Sequence, residues 1–140
     1  MECEFPKSNA TSEEMAEILR TTKTIAVVGL SPKPERPSYG VTMYMMDQGY
    51  EIIPVNPGQT EIFGKTCYKS VLDIPGPIDM VNIFREPAAV PEIVDQAIAK
   101  KAKVIWMQEG IVHNEAADKA RAAGLKVVMN KCLYKEHAHL

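Results

Sequence analysis

The chain has 140 residues, of which 46% are hydrophobic, and its formal net charge is −2. This length predicts a single domain over residues 1–140, and the apolar content is enough to cover both faces of a buried sheet. The charge gives no reason to expect nucleic acid or an anionic membrane as a partner. The sequence has no apolar run long enough to span a bilayer and no signal-peptide core at its start, so a cytoplasmic location is expected.

Helices and strands are predicted to alternate along the chain. Thr11 and Glu14 have the spacing of a capping box, which begins a short helix that we expect to pack on the edge of the sheet. Hydrophobic patterns predict strands at 25–28, 50–55, 79–84, 104–107 and 125–129, and helices at 38–48, after Pro87 and at 114–123. Right-handed crossovers join such elements into an α/β, doubly wound five-stranded parallel sheet in the order 3-2-1-4-5, with helices on both faces.

The first predicted strand ends at Gly29 and leads into a basic, proline-rich loop. At the carboxyl edge of a doubly wound sheet, the helix after this strand directs its N-terminal N–H groups at an anion. Ser31 replaces the second glycine of the dinucleotide fingerprint G-x-G-x-x-G, while Lys33 and Arg36 supply cations that suit phosphate groups. We interpret the segment as a phosphate-binding loop for a nucleotide with more phosphate than NAD, with a solvated surface loop as the alternative.

The predicted strand order places the first and fourth strands side by side, with helices that leave toward opposite faces. A crevice is therefore expected between the loop 29–36 and the segment 108–110. Asn56 and Pro57 end the second strand, at the point where NAD-binding proteins normally carry an acidic residue. An amide at Asn56 can hydrogen-bond a sugar or a base without repelling a ribose phosphate, although these two residues could also form only a turn.

Five segments of the sequence together resemble the small single-domain CoA-binding proteins. They are VVGLSPKPERPSYGV, IIPVNP, FGKTCYKSVLDIP, VIWMQEGI and NKCLYKEH, and it is their combination and order that is specific. Those proteins are similar to the N-terminal CoA-binding domain of the succinyl-CoA synthetase alpha subunit. The resemblance covers most of the chain and implies a Rossmann-like fold that holds coenzyme A at the carboxyl edge of its sheet, usually without an established reaction.

The resemblance also implies which residues contact coenzyme A. The family's nucleotide loop falls on Gly29, Leu30, Ser31, Lys33 and Arg36, and its second-strand contact falls on Val55, Asn56 and Pro57. The wall beside the pantetheine arm corresponds to Phe84, Arg85, Glu86 and Pro87, and the fourth-strand loop corresponds to Gln108 and Glu109. Leu30 stands where many relatives have a small residue.

The synthetases that contain the similar domain also indicate whether catalysis is expected here. Their chemistry requires a phosphorylated histidine in a second domain and a separate nucleotide-binding subunit, for which this sequence offers no counterpart. We therefore expect a non-catalytic carrier, sensor or regulatory protein that binds coenzyme A or acyl-CoA, with a homo-oligomer and a protein partner left open. The alternative is an NAD(P)-dependent oxidoreductase or its nucleotide-binding subunit, in which Lys33 and Arg36 would bind a ribose phosphate.

The three cysteines, Cys3, Cys67 and Cys132, are too widely spaced for a disulfide framework or a zinc knuckle. Cys132 lies near Glu136 and His137 in a polar tail, which raises the hypothesis of a metal or thiol site, but a buried thiol is the commoner outcome. Cys67 is interpreted likewise, although a thiol near the CoA sulfur could form a mixed disulfide. No metal-ligand set and no catalytic residue are predicted.

Overall fold

The computed structural model describes residues 4–140, so Cys3 lies outside the described residues. The strands are β1 Thr24–Val28, β2 Glu51–Val55, β3 Glu61–Ile62, β4 Lys65–Thr66, β5 Met80–Ile83, β6 Val104–Met107 and β7 Lys126–Val128. The helices are α1 Ser12–Thr21, α2 Pro37–Asp47, α3 Val90–Ala99, α4 Asn114–Ala122 and α5 Leu133–Ala138, with short 3-10 helices at Val71–Asp73 and Pro87–Ala89. None of the helices in this part of the chain is long and apolar enough to cross a membrane.

The main sheet is parallel and has the order β2-β1-β5-β6-β7, while β3 and β4 pair separately as an antiparallel hairpin. Helices cover both faces, so the predicted class, a doubly wound α/β domain with a five-stranded parallel sheet, is confirmed. The predicted order 3-2-1-4-5 is corrected to 2-1-3-4-5, counted along the chain among the five strands of this sheet. The third of them, β5, lies between β1 and β6 instead of outside β2.

Pro54 explains why β2 is an edge strand. On the side away from β1, the Pro54 carbonyl accepts from Tyr68 N–H at 3.0 Å, and Asn56 N–H donates to the Tyr68 carbonyl at 2.9 Å. The carbonyl and the nitrogen of one strand residue face the same side, so Pro54 lacks an N–H on this outer side. A proline is tolerated in a strand when that side is an edge, and a further strand could not pair fully outside β2.

The leading helix, α1, packs on one face of the sheet, not on its edge as predicted. It contributes to the apolar cluster that contains Ile25 of β1 and Trp106 of β6. The buried residues of α1 are Met15, Ile18 and Leu19. Its capping box is confirmed, because Thr11 accepts from Glu14 N–H and Glu14 accepts from Thr11 N–H. Residues of α2 and α5 belong to the same cluster, whereas α3 and α4 cover the other face.

The C-terminal segment, which was expected to be a polar tail, contains a helix, α5. Its first residue, Leu133, is fully buried, and Leu133 N–H donates to the side-chain carbonyl of buried Gln108 at 3.1 Å. Tyr44 of α2 is joined to α5 by a hydrogen bond of 2.9 Å between Tyr44 Oη and His137 Nδ1. The helix is therefore part of the folded domain and packs beside α1 and α2.

A side chain covers the opposite edge of the sheet, where β7 ends. Asn9 Nδ2 donates to the Met129 carbonyl at 2.7 Å, and Met129 N–H donates to Asn9 Oδ1 at 2.9 Å. The primary amide of Asn9 thus takes the place of a backbone peptide beside the residue that follows β7. At the β2 edge, Tyr68 takes the corresponding position next to Val55.

Candidate functional site

The carboxyl ends of β1 and β5 mark the point where the connections of the sheet change direction. β1 continues into α2, which covers one face of the sheet, and β5 continues into α3, which covers the other. In an open parallel sheet, the crevice between two such strands is the usual place for a ligand. The crevice predicted between the first and fourth strands is therefore corrected to one between β1 and β5.

Gly29 allows the backbone after β1 to lie against the backbone after β5. Its φ angle is +86°, and a Cβ atom built on it would lie 2.5 Å from the Phe84 carbonyl oxygen. Hydrogen bonds of 2.9 Å hold both flanks, from Gly29 N–H to the Val55 carbonyl and from Phe84 N–H to the Val28 carbonyl. Glycine alone combines this φ angle with so close a contact, so Gly29 sets how closely the two loops approach each other.

The loop after β1 folds back onto the first turn of α2. Ser31 N–H donates to Ser38 Oγ at 3.0 Å, and Lys33 N–H donates to Ser31 Oγ at 3.1 Å. Arg36 is the N-cap residue of α2 and makes no side-chain hydrogen bond to the helix. Since no side chain caps the helix, the positive end of its dipole is left beside the loop.

A cleft of about 300 Å³ opens beside this turn. Its lining residues are Gly29, Ser31, Lys33, Arg36, Pro37, Ser38 and Phe84, and all but Pro37 and Ser38 are site residues predicted from the sequence. Lys33 and Arg36 are exposed, and within residues 4–140 neither side chain forms an ion pair. The cleft combines two cations that form no ion pair with a helix N-terminus, an arrangement that attracts anions such as phosphate.

Asn56 joins the loop after β1 to the loop after β2. Asn56 Nδ2 donates to the Leu30 carbonyl at 2.9 Å. Asn56 Oδ1 accepts from Gly58 N–H at 2.8 Å, so Asn56 also forms a turn, which was the alternative to a ligand contact at this position. An aspartate could not donate to the Leu30 carbonyl, so the loops require the amide whatever the ligand. The Leu30 side chain is fully buried in the core, as is Val55, whereas Pro57 is exposed.

Arg85 lies close to Gly29, but its charge is balanced by a neighbour. A Cβ atom on Gly29 would lie 3.0 Å from Arg85 Cδ. Arg85 Nη2 and Nε donate to the Glu86 carboxylate at 2.9 and 3.2 Å. These hydrogen bonds lower the pKa of Glu86 below its ordinary value. Arg85 therefore differs from Lys33 and Arg36, neither of which forms an ion pair with a described carboxylate.

Residues 23–138 match the protein family described as CoA binding domain. The chain belongs to this CoA-binding domain family. The match spans most of the sequence, and it confirms the resemblance indicated by the five sequence segments.

Relatives of this CoA-binding domain include proteins of the same length and much longer ones. "Uncharacterized protein YneT" from Bacillus subtilis is 42% identical over 130 residues, which cover 93% of this chain and 96% of that protein. "Acetate–CoA ligase [ADP-forming] I subunit alpha" from Pyrococcus furiosus is 33% identical over 128 residues, which cover 80% of this chain and 28% of the subunit. A solved structure of a hypothetical protein from Pyrococcus horikoshii OT3 is 46% identical, with a TM-score of 0.92 and coverage of 100% of this chain and 99% of that one.

In this CoA-binding domain, Gln108 and Glu109 follow β6, and β5 separates them from β1. The side-chain carbonyl of Gln108 accepts from Leu133 N–H at the start of α5. Glu109 forms an ion pair of 2.9 Å with Lys135 of α5, and the hydrogen bond between them raises the pKa of Lys135. Both predicted site residues therefore hold α5, and neither lines the cleft.

The thiols of the CoA-binding domain are in surroundings that do not favour reaction. Cys67 and Cys132 are free and buried. Burial raises the pKa of the Cys67 thiol, and a hydrogen bond to the Asn56 carbonyl only partly opposes this. A raised thiol pKa leaves little of the nucleophilic thiolate. His137 Nδ1 is bound to the Tyr44 hydroxyl, and between residues 4 and 140 no three His, Cys, Asp or Glu side chains are grouped to hold a metal ion.

Proposed function

We propose that this protein binds coenzyme A or an acyl-CoA in the cleft beside Gly29. The observation that carries the proposal is the pair Lys33 and Arg36, which have no acidic partner in the described chain and lie at the N-terminus of α2. Coenzyme A carries a diphosphate and a ribose phosphate, so it offers such a cleft more negative charge than NAD does. Membership of the CoA-binding domain family supports the same ligand.

Each part of the cleft has a distinct task in this proposal. Lys33 supplies a point charge and Arg36 a planar fork of donors for phosphate oxygens, while the α2 N-terminus favours the negative charge. Phe84 forms the side of the cleft that belongs to β5. Arg85, which follows it and lies close to Gly29, can exchange its Glu86 partner for a phosphate oxygen. Asn56 acts indirectly, because it holds the two loops together.

We further infer a carrier, sensor or regulatory role without catalysis. The raised pKa of Cys67 and the bond between His137 and Tyr44 support this inference. The chain also spans only 28% of the ligase subunit that it resembles, so the ligase reaction is not transferred to it. Two free thiols are typical of a reducing compartment, and a cytoplasmic location is part of the proposal.

Calorimetric titration with CoA, acetyl-CoA, NADH and NADPH tests the ligand. We expect CoA and acetyl-CoA to bind, and CoA to raise the melting temperature more than an equal concentration of NADH. Pantetheine, which lacks phosphate, is the matched ligand control and should bind far more weakly. Tighter binding of NADPH than of CoA would contradict the proposal and favour an NAD(P)-dependent oxidoreductase or its nucleotide-binding subunit.

A further inference from the structure

Two buried polar side chains near the cleft lack hydrogen-bond partners. Asn82 of β5 and Thr42 of α2 are each 1% exposed. Within the described part of the chain, nothing bonds to Asn82 Nδ2, Asn82 Oδ1 or Thr42 Oγ1. Buried polar atoms in folded proteins are nearly always satisfied, either by protein groups or by ordered water. These three atoms therefore require a partner that the described protein groups do not supply.

Asn82 and Thr42 belong to the same layer of the molecule. Met80 and Phe84 of the β5 segment both belong to the apolar cluster shared with α1, α2 and α5, so Asn82, between them in the alternation, points to that face. On α2, Thr42 follows Ser38 by one helical turn, and both are buried. Phe84 and Ser38 line the cleft. Asn82 lies two strand residues before Phe84, and Thr42 lies one helical turn after Ser38, so each unpartnered residue is deeper than a lining residue.

The two side chains also lie at a similar depth below the cleft. Two residues of a strand advance by roughly 6.6 Å, and four residues of a helix advance by roughly 6 Å. Because β1 and β2 are parallel, α2 runs back from the carboxyl edge of the sheet toward its amino edge. Thr42 is therefore deeper than Ser38 by about the same distance as Asn82 is deeper than Phe84.

The groups around these residues do not provide the missing partners. Exchanging the amide oxygen and nitrogen of Asn82 changes nothing, because both atoms are unpartnered. A threonine in a helix often donates to the carbonyl four residues earlier, but Thr42 makes no such bond. In the sheet register Asn82 is flanked by apolar Val27 and by Trp106, whose indole N–H already donates to the Lys131 carbonyl.

We propose that Asn82 and Thr42 share buried, ordered water beneath the floor of the cleft. An amide can both donate and accept, and so can a hydroxyl, so water between them can make the two to four hydrogen bonds typical of buried water. Such water joins α2 to β5 directly below the loop that carries Lys33 and Arg36. This hydration site is independent of which ligand the cleft holds.

A high-resolution crystal structure of the full chain tests the site directly. We expect electron density for water within hydrogen-bonding distance of both Asn82 and Thr42. Clear density for other buried waters, with none between these two side chains, would overturn the proposal. The same crystals of Thr42→Val should show this water displaced or lost, and unchanged density in that variant would show that Thr42 does not bind it.

A double-mutant cycle tests whether the two residues share the water. Thr42→Val and Asn82→Leu remove the polar atoms at similar side-chain volume, and each should lower the melting temperature because the water loses a partner. The double variant should lower it by clearly less than the sum of the two single shifts. Two single variants that raise the melting temperature would show that the atoms are buried dry, and additive losses would show that they share nothing. Either result overturns the proposal.

Two control variants separate hydration from repacking. Thr42→Ser keeps a hydroxyl, so it should retain the coupling to Asn82→Leu that the native threonine shows. Met80→Leu alters the shape of the same face of β5 without removing a hydrogen bond, so it should add to Thr42→Val without coupling. Equal coupling of Thr42→Val to Met80→Leu and to Asn82→Leu would assign the effect to packing and contradict the proposal.

Discussion

Lys33 and Arg36 are the residues on which the proposed ligand site depends most. Both are exposed, and neither forms an ion pair within residues 4–140, so they add little to the stability of the fold. A phosphate group between them would receive charge-assisted hydrogen bonds beside the α2 N-terminus. Their contribution should therefore be visible in ligand binding and not in unfolding.

Arg36→Ala or Lys33→Ala should weaken CoA binding about ten- to a hundredfold, equivalent to roughly 1.5–3 kcal/mol. The melting temperature of the unliganded protein should change little, because no described interaction of either side chain is lost. Calorimetric titration measures the affinity. Lys126→Ala, which removes an exposed lysine at the amino end of β7, is the matched control and should bind as the native protein does. Unchanged affinity in both cleft variants would assign Lys33 and Arg36 to solvent.

The same substitution should have opposite effects at two glycines. Gly29→Ala places Cβ 2.5 Å from the Phe84 carbonyl oxygen at a φ of +86°, so it should lower the free energy of unfolding by more than about 1 kcal/mol. At Gly40 of α2 a Cβ atom meets nothing within 4 Å, so Gly40→Ala should raise that free energy by about 0.5–1 kcal/mol. Urea unfolding measures both changes. A neutral Gly29→Ala would mean that the loops after β1 and β5 separate without cost.

The cations of the cleft were predictable because they lie in one continuous loop next to a strand end. The structural role of Asn56 was not, because its bond to the Leu30 carbonyl joins residues 26 positions apart. Gln108 and Glu109 were expected at the cleft because the predicted strand order put β6 next to β1 and because the family resemblance pointed to the same two residues. Residue type and local spacing can be read from a sequence, whereas these contacts depend on where the loops meet in space.

At the scale of single elements, hydrophobic patterns were sufficient for the five strands of the main sheet and for α1, α3 and α4. Helix α2 has almost no apolar stripe, and its end was predicted from Gly49, which follows it. Hydrophobic patterns could not give the strand order, because neighbours in a parallel sheet are distant in sequence. Pro54 was the local sign that β2 is an edge strand. Helix α5 was missed because its 6 residues span less than two turns and Leu133 is its buried residue, too little for a helical period.

Asp79 joins the amino ends of two neighbouring strands. Its carboxylate accepts from Lys23 N–H at 2.8 Å and Thr24 N–H at 3.2 Å, and Lys103 Nζ lies 3.4 Å away. Burial alone would raise the pKa of Asp79, but these hydrogen bonds and the Lys103 charge outweigh it and lower the pKa. The resulting stabilisation is present above the pKa of the unfolded chain, about 3.9, and is lost as pH falls through the folded pKa.

Asp79→Asn should lower the free energy of unfolding at pH 7 by about 1–2 kcal/mol, because neutral oxygen accepts these bonds less strongly. The deficit relative to the native protein should shrink as pH falls below about 4, where the native carboxylate also becomes protonated. Urea unfolding over a pH series measures it. Asp73→Asn removes an exposed carboxylate and controls for the change in net charge. A deficit that stays constant down to acid pH would contradict this role of Asp79.

At the scale of the whole molecule, we expect the protein to bind CoA thioesters without hydrolysing them. Cys132 is buried, and His137 Nδ1 is engaged by Tyr44, so the described chain shows no nucleophile activated by a neighbouring base. Incubation with a panel of acyl-CoA thioesters should release no free thiol above the buffer rate, under conditions where calorimetry detects binding. Release that disappears in Cys132→Ser would instead make this protein an enzyme.

The way both borders of the main sheet are closed bears on the resistance of this protein to fibre formation. Strands with unpaired margins template the addition of further copies and can grow into cross-β polymers. Here an added strand would have to displace the Asn9 amide from Met129 at the β7 edge. At the β2 edge it would have to displace Tyr68, and Pro54 would still offer it no N–H for a backbone hydrogen bond. Growth of the main sheet by addition of further copies of this chain is therefore disfavoured at both edges.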